Sequence, residues 1–313
     1  MNDKKTFPTQ QEGRFYFMEG GTETEIMYKH GIKLSEFAVF PLLDNPEATA
    51  KLRDMFRSYL DVVSKNGMCA IMGGLDYRAS PDWGDLLGYS REGLAEANHQ
   101  SISFLREIAD EYAADIPEIL IQGLIGPRGD AYERNETITE NEAEDYHSIQ
   151  LETLKKADVD LALAITFNNI PESIGVARAA ANFGIPLGIS LSLDKSSKLN
   201  TGPSLADTIS MIDTVTDNSP EFYMINCSHP VEYEPAIEPG DWINRVRGVR
   251  PNASKLEKVK LCQIGQLEDG DPVELGKQCG DLSKRYPHMD IWGGCCGTWN
   301  THLDEIAKNL LDS

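Results

Sequence analysis

The stretch VDLALAITF (159–167) is apolar at every position except Asp160 and Thr166. A strand with one solvated face alternates between apolar and polar residues, whereas a strand buried on both faces is apolar almost throughout. Continuous burial of this kind is typical of parallel sheets that are covered by helices. The stretch therefore predicts a central parallel strand.

Seven further apolar runs of similar length recur along the chain, at 14–21, 68–74, 118–126, 185–193, 221–227, 258–265 and 290–296. Helical patterns with clear starts lie between them. Asn45 precedes Pro46, Thr139 and Glu142 have the spacing of a capping box, and Asp271 precedes Pro272. Eight alternations of strand and helix predict a (β/α)8 TIM barrel.

The barrel is expected to be one domain over residues 1–313, with 1–13 as a flexible N-terminal extension. Residues 73–90 and 228–257 are expected to be long loops after the second and sixth strands. Loops on that side of such a barrel build the active site.

Composition limits the partners. The chain has 29 Lys and Arg against 50 Asp and Glu, a formal net charge of −21. Nucleic acids and anionic membranes attract basic surfaces, so neither is expected as a partner. The sequence shows no apolar run of signal-peptide or membrane-spanning length, which predicts a cytoplasmic location. Homo-oligomerisation is left open.

Three of the six cysteines fall at the same end of the expected barrel. Cys227 ends the sixth predicted strand, and Cys295 and Cys296 end the eighth, enclosed by glycines. Three thiolates around a zinc ion leave one tetrahedral position open, as in catalytic sites. Structural burial is the alternative and is assigned to Cys69, Cys262 and Cys279. A redox role for the adjacent pair stays open.

Other polar residues share these strand ends and are further candidates. They are Glu19, Asp76, Tyr77, Arg78, Arg128, Thr166, Asn226 and His229. His229 suits a loop cap better than a fourth metal ligand. The two arginines fit a substrate carboxylate and surface ion pairs equally well.

Four motifs, MEGGTETE (18–25), YRASPDWGDLLGYS (77–90), INCSHP (225–230) and GGCCGT (293–298), resemble signatures of the zinc-dependent homocysteine S-methyltransferases. The likeness runs from about Phe15 to Leu310 and covers nearly the whole chain.

This resemblance implies roles for individual residues. By this resemblance, zinc would be held by Cys227, Cys295 and Cys296. Glu19 stands where the family contacts the amino group of the substrate, and Gly20, Gly21 and Thr22 would lie near its carboxylate. Tyr77 matches an aromatic position near the methyl-transfer region. The remaining expected substrate residues are Thr166 and Asn226.

One position departs from the family pattern. Ile165 occupies the place of a glutamate that helps to hold the ammonium group of homocysteine. An apolar side chain cannot pair with a cation, and an unpaired buried charge is costly. Either another carboxylate, such as Glu19, Asp76 or Asp194, takes over, or the thiol acceptor is not ordinary homocysteine.

The resemblance therefore implies an enzyme of methionine biosynthesis, with zinc as its cofactor. A methyl group would pass from a sulfonium or quaternary ammonium donor to the thiol of homocysteine, with no catalytic side chain beyond the zinc site. Tyr77 is the aromatic residue expected near the cationic donor. The alternatives are the same chemistry on a different thiol, a non-catalytic barrel that binds zinc or an amino acid, and a redox protein.

Overall fold

The computed structural model describes residues 5–131, 137–256 and 268–312. Eight parallel strands form a closed barrel in which each strand pairs with its neighbours in the chain and β8 pairs with β1. The strands are β1 (Tyr16–Met18), β2 (Cys69–Met72), β3 (Ile119–Ile125), β4 (Leu161–Phe167), β5 (Leu187–Leu191), β6 (Phe222–Asn226), β7 (Val246–Arg250) and β8 (Ile291–Trp292). The predicted (β/α)8 barrel is confirmed.

Ten α-helices are found in the described ranges. They are α1 (Thr22–Tyr28), α2 (Pro46–Lys65), α3 (Pro81–Leu86), α4 (Arg91–Glu111), α5 (Glu140–Lys156), α6 (Ile170–Phe183), α7 (Leu205–Thr216), α8 (Pro230–Tyr233), α9 (Pro272–Arg285) and α10 (Asn300–Leu311). None of the helices in these ranges is both long enough and apolar enough to cross a bilayer. The cytoplasmic location stays a prediction.

The predicted helix starts are confirmed by the caps. The Asn45 side chain accepts the backbone N–H groups of Glu47 and Ala48, and Thr139 and Glu142 form a reciprocal capping box. The Asp271 side chain accepts two N–H groups at the start of α9. Each cap satisfies donors that have no partner within their helix.

The seventh strand was wrongly placed by the apolar pattern. The run at 258–265 lies outside the described residues, and the strand between β6 and β8 is Val246–Arg250 instead. Its sequence, VRGVR, contains two arginines, yet all five residues are buried. Arg247 pairs with Asp290 and Arg250 pairs with Glu19, so internal ion pairs replace the expected apolar run.

The barrel has an inner and an outer apolar core. Along β4, Leu161, Leu163 and Ile165 join the inner cluster, whereas Ala162 and Phe167 join the cluster between strands and helices. The pairing of β4 with β5 shifts between Ile165 and Phe167, which leaves Thr166 as a bulge. The bulge separates inward Ile165 from outward Phe167 and lies at the C-terminal end of β4.

Residues 5–13 contact the barrel at several points, and the flexibility expected for residues 1–13 stays a prediction. Phe7 is buried against Tyr16 and Phe222, near the starts of β1 and β6. Arg247 donates to the Pro8 carbonyl at 2.9 Å, and Lys5 pairs with Asp158 and Asp160. The segment therefore packs at the N-terminal end of the barrel, opposite the cysteines.

Candidate active site

The three candidate cysteines converge at the C-terminal end of the barrel. Their sulfur atoms lie within 4.8 Å of one another. The Cys227 Sγ lies 2.7 Å from the Cys295 Sγ and 3.7 Å from the Cys296 Sγ. This is the one group of three or more potential metal ligands found among the described residues.

Cys227 reaches this position through an unusual backbone conformation. It follows β6 directly and adopts a φ of 50°, in the left-handed region that residues with a side chain seldom occupy. Its N–H donates to the Arg250 carbonyl at 3.2 Å. Strained conformations of this kind persist where the surrounding structure holds them, often at functional sites.

Cys295 and Cys296 lie in a turn beyond β8 rather than on the strand itself. The Cys295 N–H donates to the Pro251 carbonyl, and the Cys296 carbonyl accepts the Ala253 N–H. A side chain on Gly294 would meet the Thr298 Oγ1 at 2.0 Å, and Gly297 has a φ of 81°. The glycines therefore permit a close approach and a left-handed turn, which lets neighbouring cysteines face one point.

The thiols fit a divalent soft metal by their chemistry. Sulfur ligands about 2.3 Å from a tetrahedral zinc ion lie roughly 3.8 Å apart. The 3.7 Å between Cys227 and Cys296 matches this spacing, whereas the 2.7 Å between Cys227 and Cys295 is shorter. Hydrogen bonding with Cys227 is the main cause that raises the pKa of Cys295 to about 12, and the pKa of Cys296 is raised as well. These thiols are therefore protonated in the absence of metal, and three thiolates this close would need a cation to compensate them, which zinc bound to the sulfurs would supply.

The other two described cysteines are not part of this group. Cys69 lies in β2 and Cys279 in α9, both buried, and none of the described cysteines forms a disulfide. Burial raises the pKa of Cys279 to about 12, as for an inert core thiol. Cys262 lies outside the described residues.

The sulfurs open onto a cavity of about 450 Å³, including its mouth. Six of the seven expected substrate residues line it, namely Glu19, Gly20, Gly21, Thr22, Tyr77 and Thr166. The structure therefore brings most of the motif residues to one place. Whether they contact substrate stays a prediction.

Asn226 is the exception and lies behind the cavity wall. Its Oδ1 accepts the Thr166 N–H at 3.0 Å, and its Nδ2 donates to the Thr166 Oγ1 at 2.9 Å. The Nδ2 group also lies 3.9 Å from the Cys295 Sγ. Thr166 has a φ of 65°, so Asn226 holds a strained bulge in place beside the thiols.

Glu19 is already paired within the barrel. Its Oε1 accepts from the Arg250 Nη2 at 2.8 Å, and its Oε2 accepts the Gly73 N–H at 3.2 Å. Both ionic side chains are 4 % exposed. The pair links β1 to β7 and compensates the charge of Glu19 inside the site.

Arg250 was missed by sequence reasoning because its strand was misplaced. Its Nε donates to the Gly294 carbonyl at 2.9 Å, next to the cysteine pair. Its Nη1 is buried with no hydrogen-bond partner in the described part of the chain. Arg250 therefore supports the cysteine turn and lines the same cavity.

Glu23 and Phe37 also line the cavity and were not singled out from the sequence. Glu23 belongs to the MEGGTETE motif, so the sequence could have identified it as a candidate site residue. Burial is the main cause that raises its pKa to about 7, with the charges of Cys227 and Glu19 adding to the effect. Phe37 ends a short 3-10 helix (Ser35–Phe37), packs against the inner core and had no sequence signal.

Other polar candidates have structural partners. Both carboxylate oxygens of Asp76 accept the Leu124 N–H, and Asp194 accepts from Ser196 in its own loop. His229 Nδ1 accepts the Val231 N–H, which confirms the cap. Arg128 pairs with Asp82 on the surface. Asp76, Asp194, His229 and Arg128 therefore each have a partner within the protein, and none of them needs a substrate contact to explain its position.

Most aromatic residues near the site pack against other parts of the protein and do not line the cavity. The Arg78 guanidinium lies 3.8 Å from the centre of the Trp83 ring and 5.0 Å from that of Tyr77. Trp292 is buried within β8, and Phe167 and Tyr233 belong to the outer core. Tyr77 and Phe37 are the aromatic residues that line the cavity in the described structure.

The chain forms a closed eight-stranded barrel, and three thiols that could bind a metal lie at the C-terminal ends of its strands. Barrel enzymes carry their active sites at this end. The family model for homocysteine S-methyltransferase matches residues 16–310. The chain belongs to the homocysteine S-methyltransferase family, an enzyme family, as the sequence motifs indicated.

The chain is similar to individual proteins along most of its length. The chain is 23 % identical to the homocysteine S-methyltransferase YbgG of Bacillus subtilis, over 93 % of this chain and 92 % of that protein. The crystal structure of the Escherichia coli homocysteine methyltransferase MmuM in its oxidised form has a TM-score of 0.72 at 19 % identity, covering 94 % of this chain and 95 % of that one. Its metallated form gives 0.71 at 19 % identity, with coverage of 95 % and 96 %.

Proposed function

We propose that this chain is a zinc-dependent methyltransferase that converts homocysteine to methionine with a sulfonium or quaternary ammonium methyl donor. The observation that carries the proposal is the convergence of Cys227, Cys295 and Cys296 within 4.8 Å at the floor of a cavity. Membership of the family supports the acceptor.

Zinc held by these three cysteines would supply a Lewis acid that lowers the pKa of the acceptor thiol. A free alkyl thiol has a pKa of about 8.5 and is mostly protonated at neutral pH, whereas the thiolate is the nucleophile. The acceptor sulfur forms a bond to the methyl carbon as the bond from that carbon to the donor heteroatom breaks. The electron pair stays with the donor, which loses its positive charge.

The protein's own residues position the reactants. Thr166 and Asn226 fix the wall next to Cys295, and Arg250 fixes the turn that carries the cysteine pair. The proposed substrate residues Gly20, Gly21 and Thr22 follow β1 at the cavity edge. The Gly21 N–H already donates to the Thr298 carbonyl, so a substrate carboxylate there would need other donors as well.

The cationic donor would lie against the aromatic side of the cavity. Tyr77 is the proposed contact, and Phe37 offers a second ring on the same cavity. An aromatic face attracts a sulfonium or quaternary ammonium group without competing for its methyl group. The cavity is thus proposed to divide into a thiol side and an aromatic side.

The experiment that tests this function is a panel of labelled methyl donors. Purified zinc-loaded protein is incubated with homocysteine and S-methylmethionine, S-adenosylmethionine or betaine, and labelled methionine is measured. We expect one donor to give methionine and a chelator to stop its formation. Full zinc loading without methionine from any of the donors would contradict the proposal.

A further inference from the structure

The thiol cavity contains a carboxylate that forms no ion pair in the described structure, although the charge of Arg250 acts on it. Glu23, on α1, lines the cavity together with the three cysteines and Ile165. It is only partly exposed, and no ion pair to it is found within residues 5–131, 137–256 and 268–312. A half-buried carboxylate of this kind favours a cationic ligand.

Glu19 is not an equivalent partner for such a ligand. Arg250 lies 2.8 Å from one of its oxygens, and both side chains are almost fully buried. The two charges cancel, so a substrate cation placed beside Glu19 would also meet the guanidinium. An ammonium group is therefore expected to favour Glu23, which has no such neighbour bonded to it.

The other carboxylates near the strand ends are held away from the cavity. Asp76 and Asp194 are bonded to Leu124 and Ser196, and neither lines the cavity. Ile165 forms an apolar part of the wall. Among the described residues that line this cavity, Glu23 is thus the carboxylate without an ion-pair partner.

We propose that Glu23 binds the ammonium group of the thiol acceptor and thereby selects an α-amino acid thiol. This rests on the proposed function, because it assumes that the thiol of the acceptor lies at the three cysteines. The amino group of homocysteine is a few bonds from its sulfur, so both can be held within one cavity of this size. Glu23 would then provide the charge that Ile165 cannot.

The test compares homocysteine with 4-mercaptobutanoate, which is the same acceptor without its amino group. Isothermal titration calorimetry measures binding of both thiols to the zinc-loaded wild type, Glu23→Gln and Glu23→Asp. Losing a charge-assisted bond is expected to weaken homocysteine binding in Glu23→Gln by about ten- to a hundredfold. Binding of 4-mercaptobutanoate should change by less than about threefold, and Glu23→Asp should recover part of the preference.

Glu25→Gln is the matched control on the same helix. Glu25 pairs with Lys29 and lies outside the thiol cavity, so the same chemical change should leave both affinities at the wild-type level. Zinc content is measured in every variant. Equal zinc content with the preference lost only in Glu23→Gln supports the proposal.

Two results would overturn the role of Glu23. One is an unchanged preference for homocysteine in Glu23→Gln. The other is equal weakening of both thiols, which would indicate a role at the sulfur or at the metal. Failure of the proposed function would give a different result. The wild type would then bind homocysteine but transfer no methyl group to it from any donor.

Discussion

Cys227 is the residue on which the metal site depends most directly. It joins β6 to a cluster otherwise built from one turn, and it contacts both partner sulfurs. We expect Cys227→Ala to reduce zinc from about one ion per chain to well below half, because two thiols and no third ligand hold zinc far less tightly. Metal analysis after dialysis measures this.

Cys279→Ala is the control for that change. Cys279 is also buried, but it lies in α9, away from the cluster. Its substitution should lower the free energy of unfolding by roughly 1 kcal/mol through lost packing and leave zinc unchanged. Full zinc retention in Cys227→Ala, or equal loss in both variants, would contradict the assigned ligands.

Asn226 positions Thr166 next to the cysteine sulfurs. Asn226→Ala removes two hydrogen bonds to Thr166 and leaves the Thr166 N–H unsatisfied. We expect a loss of about 1–3 kcal/mol in the free energy of unfolding and a lower kcat with little change in zinc content. Urea denaturation and steady-state kinetics measure the two effects, and unchanged values for both would refute this role.

At the scale of elements, the link between β1 and β7 decides how the barrel closes around the site. Arg250→Met would leave Glu19 as a buried, unpaired carboxylate. We expect a loss of about 3–5 kcal/mol in the free energy of unfolding at pH 7, the cost of breaking a buried ion pair. Urea denaturation provides the measurement.

The double variant Glu19→Gln/Arg250→Met separates charge from packing. Because neither charge remains, we expect most of the lost stability to return. If the double variant is as unstable as Arg250→Met, the cost is due to lost packing and hydrogen bonds rather than to an isolated charge.

The carboxylate of Glu23, on helix α1, is proposed to bind the substrate ammonium group, and its burial lowers the stability of the fold. The pKa of Glu23 is raised to about 7, above the 4.5 of an exposed glutamate. Between these values the folded protein binds more protons than the unfolded chain, so the contribution of Glu23 to stability falls as pH rises from about 4.5 to 7. The full cost is present above pH 7.

Glu23→Gln should therefore stabilise the metal-free protein at pH 8. The expected gain is on the order of 1–3 kcal/mol, and it should shrink toward zero near pH 4.5, where the wild-type carboxyl group is protonated. Thermal unfolding of both proteins across this range measures the difference. A gain that is the same at every pH would show that charge is not its cause.

At the scale of the whole molecule, the barrel was predictable because parallel strands buried on both faces are nearly continuous in their apolar character. Seven of the eight strands follow that rule. β7 does not, because Arg247 and Arg250 are buried by pairing with Asp290 and Glu19, residues distant in the sequence. No local pattern could reveal those partners.

The site was predictable in part for a similar reason. The three cysteines and the residues after β1 stand in short motifs at strand ends, and barrel closure brings such ends together. Arg250 and Phe37 depend on contacts between distant segments. The structure also shows that Glu19 forms an ion pair with Arg250, which the motif alone could not reveal.

Zinc should stabilise the entire fold, since Cys227 meets the adjacent pair Cys295 and Cys296 only in the folded chain. Binding releases thiol protons, so the zinc-dependent rise in Tm should grow as pH increases from about 6 to 8. Calorimetric melting with zinc and with chelator measures this rise. A rise that does not depend on pH would indicate metal binding elsewhere, for example at surface carboxylates.

The central claim is that three cysteine sulfurs bind zinc and leave one position for the acceptor thiol. Zinc K-edge X-ray absorption of the zinc-loaded protein measures the sulfur shell directly, before and after addition of homocysteine. The account predicts three sulfur neighbours at about 2.3 Å, rising to four with homocysteine. Fewer than three sulfurs at the start, or no change when homocysteine is added, would contradict it.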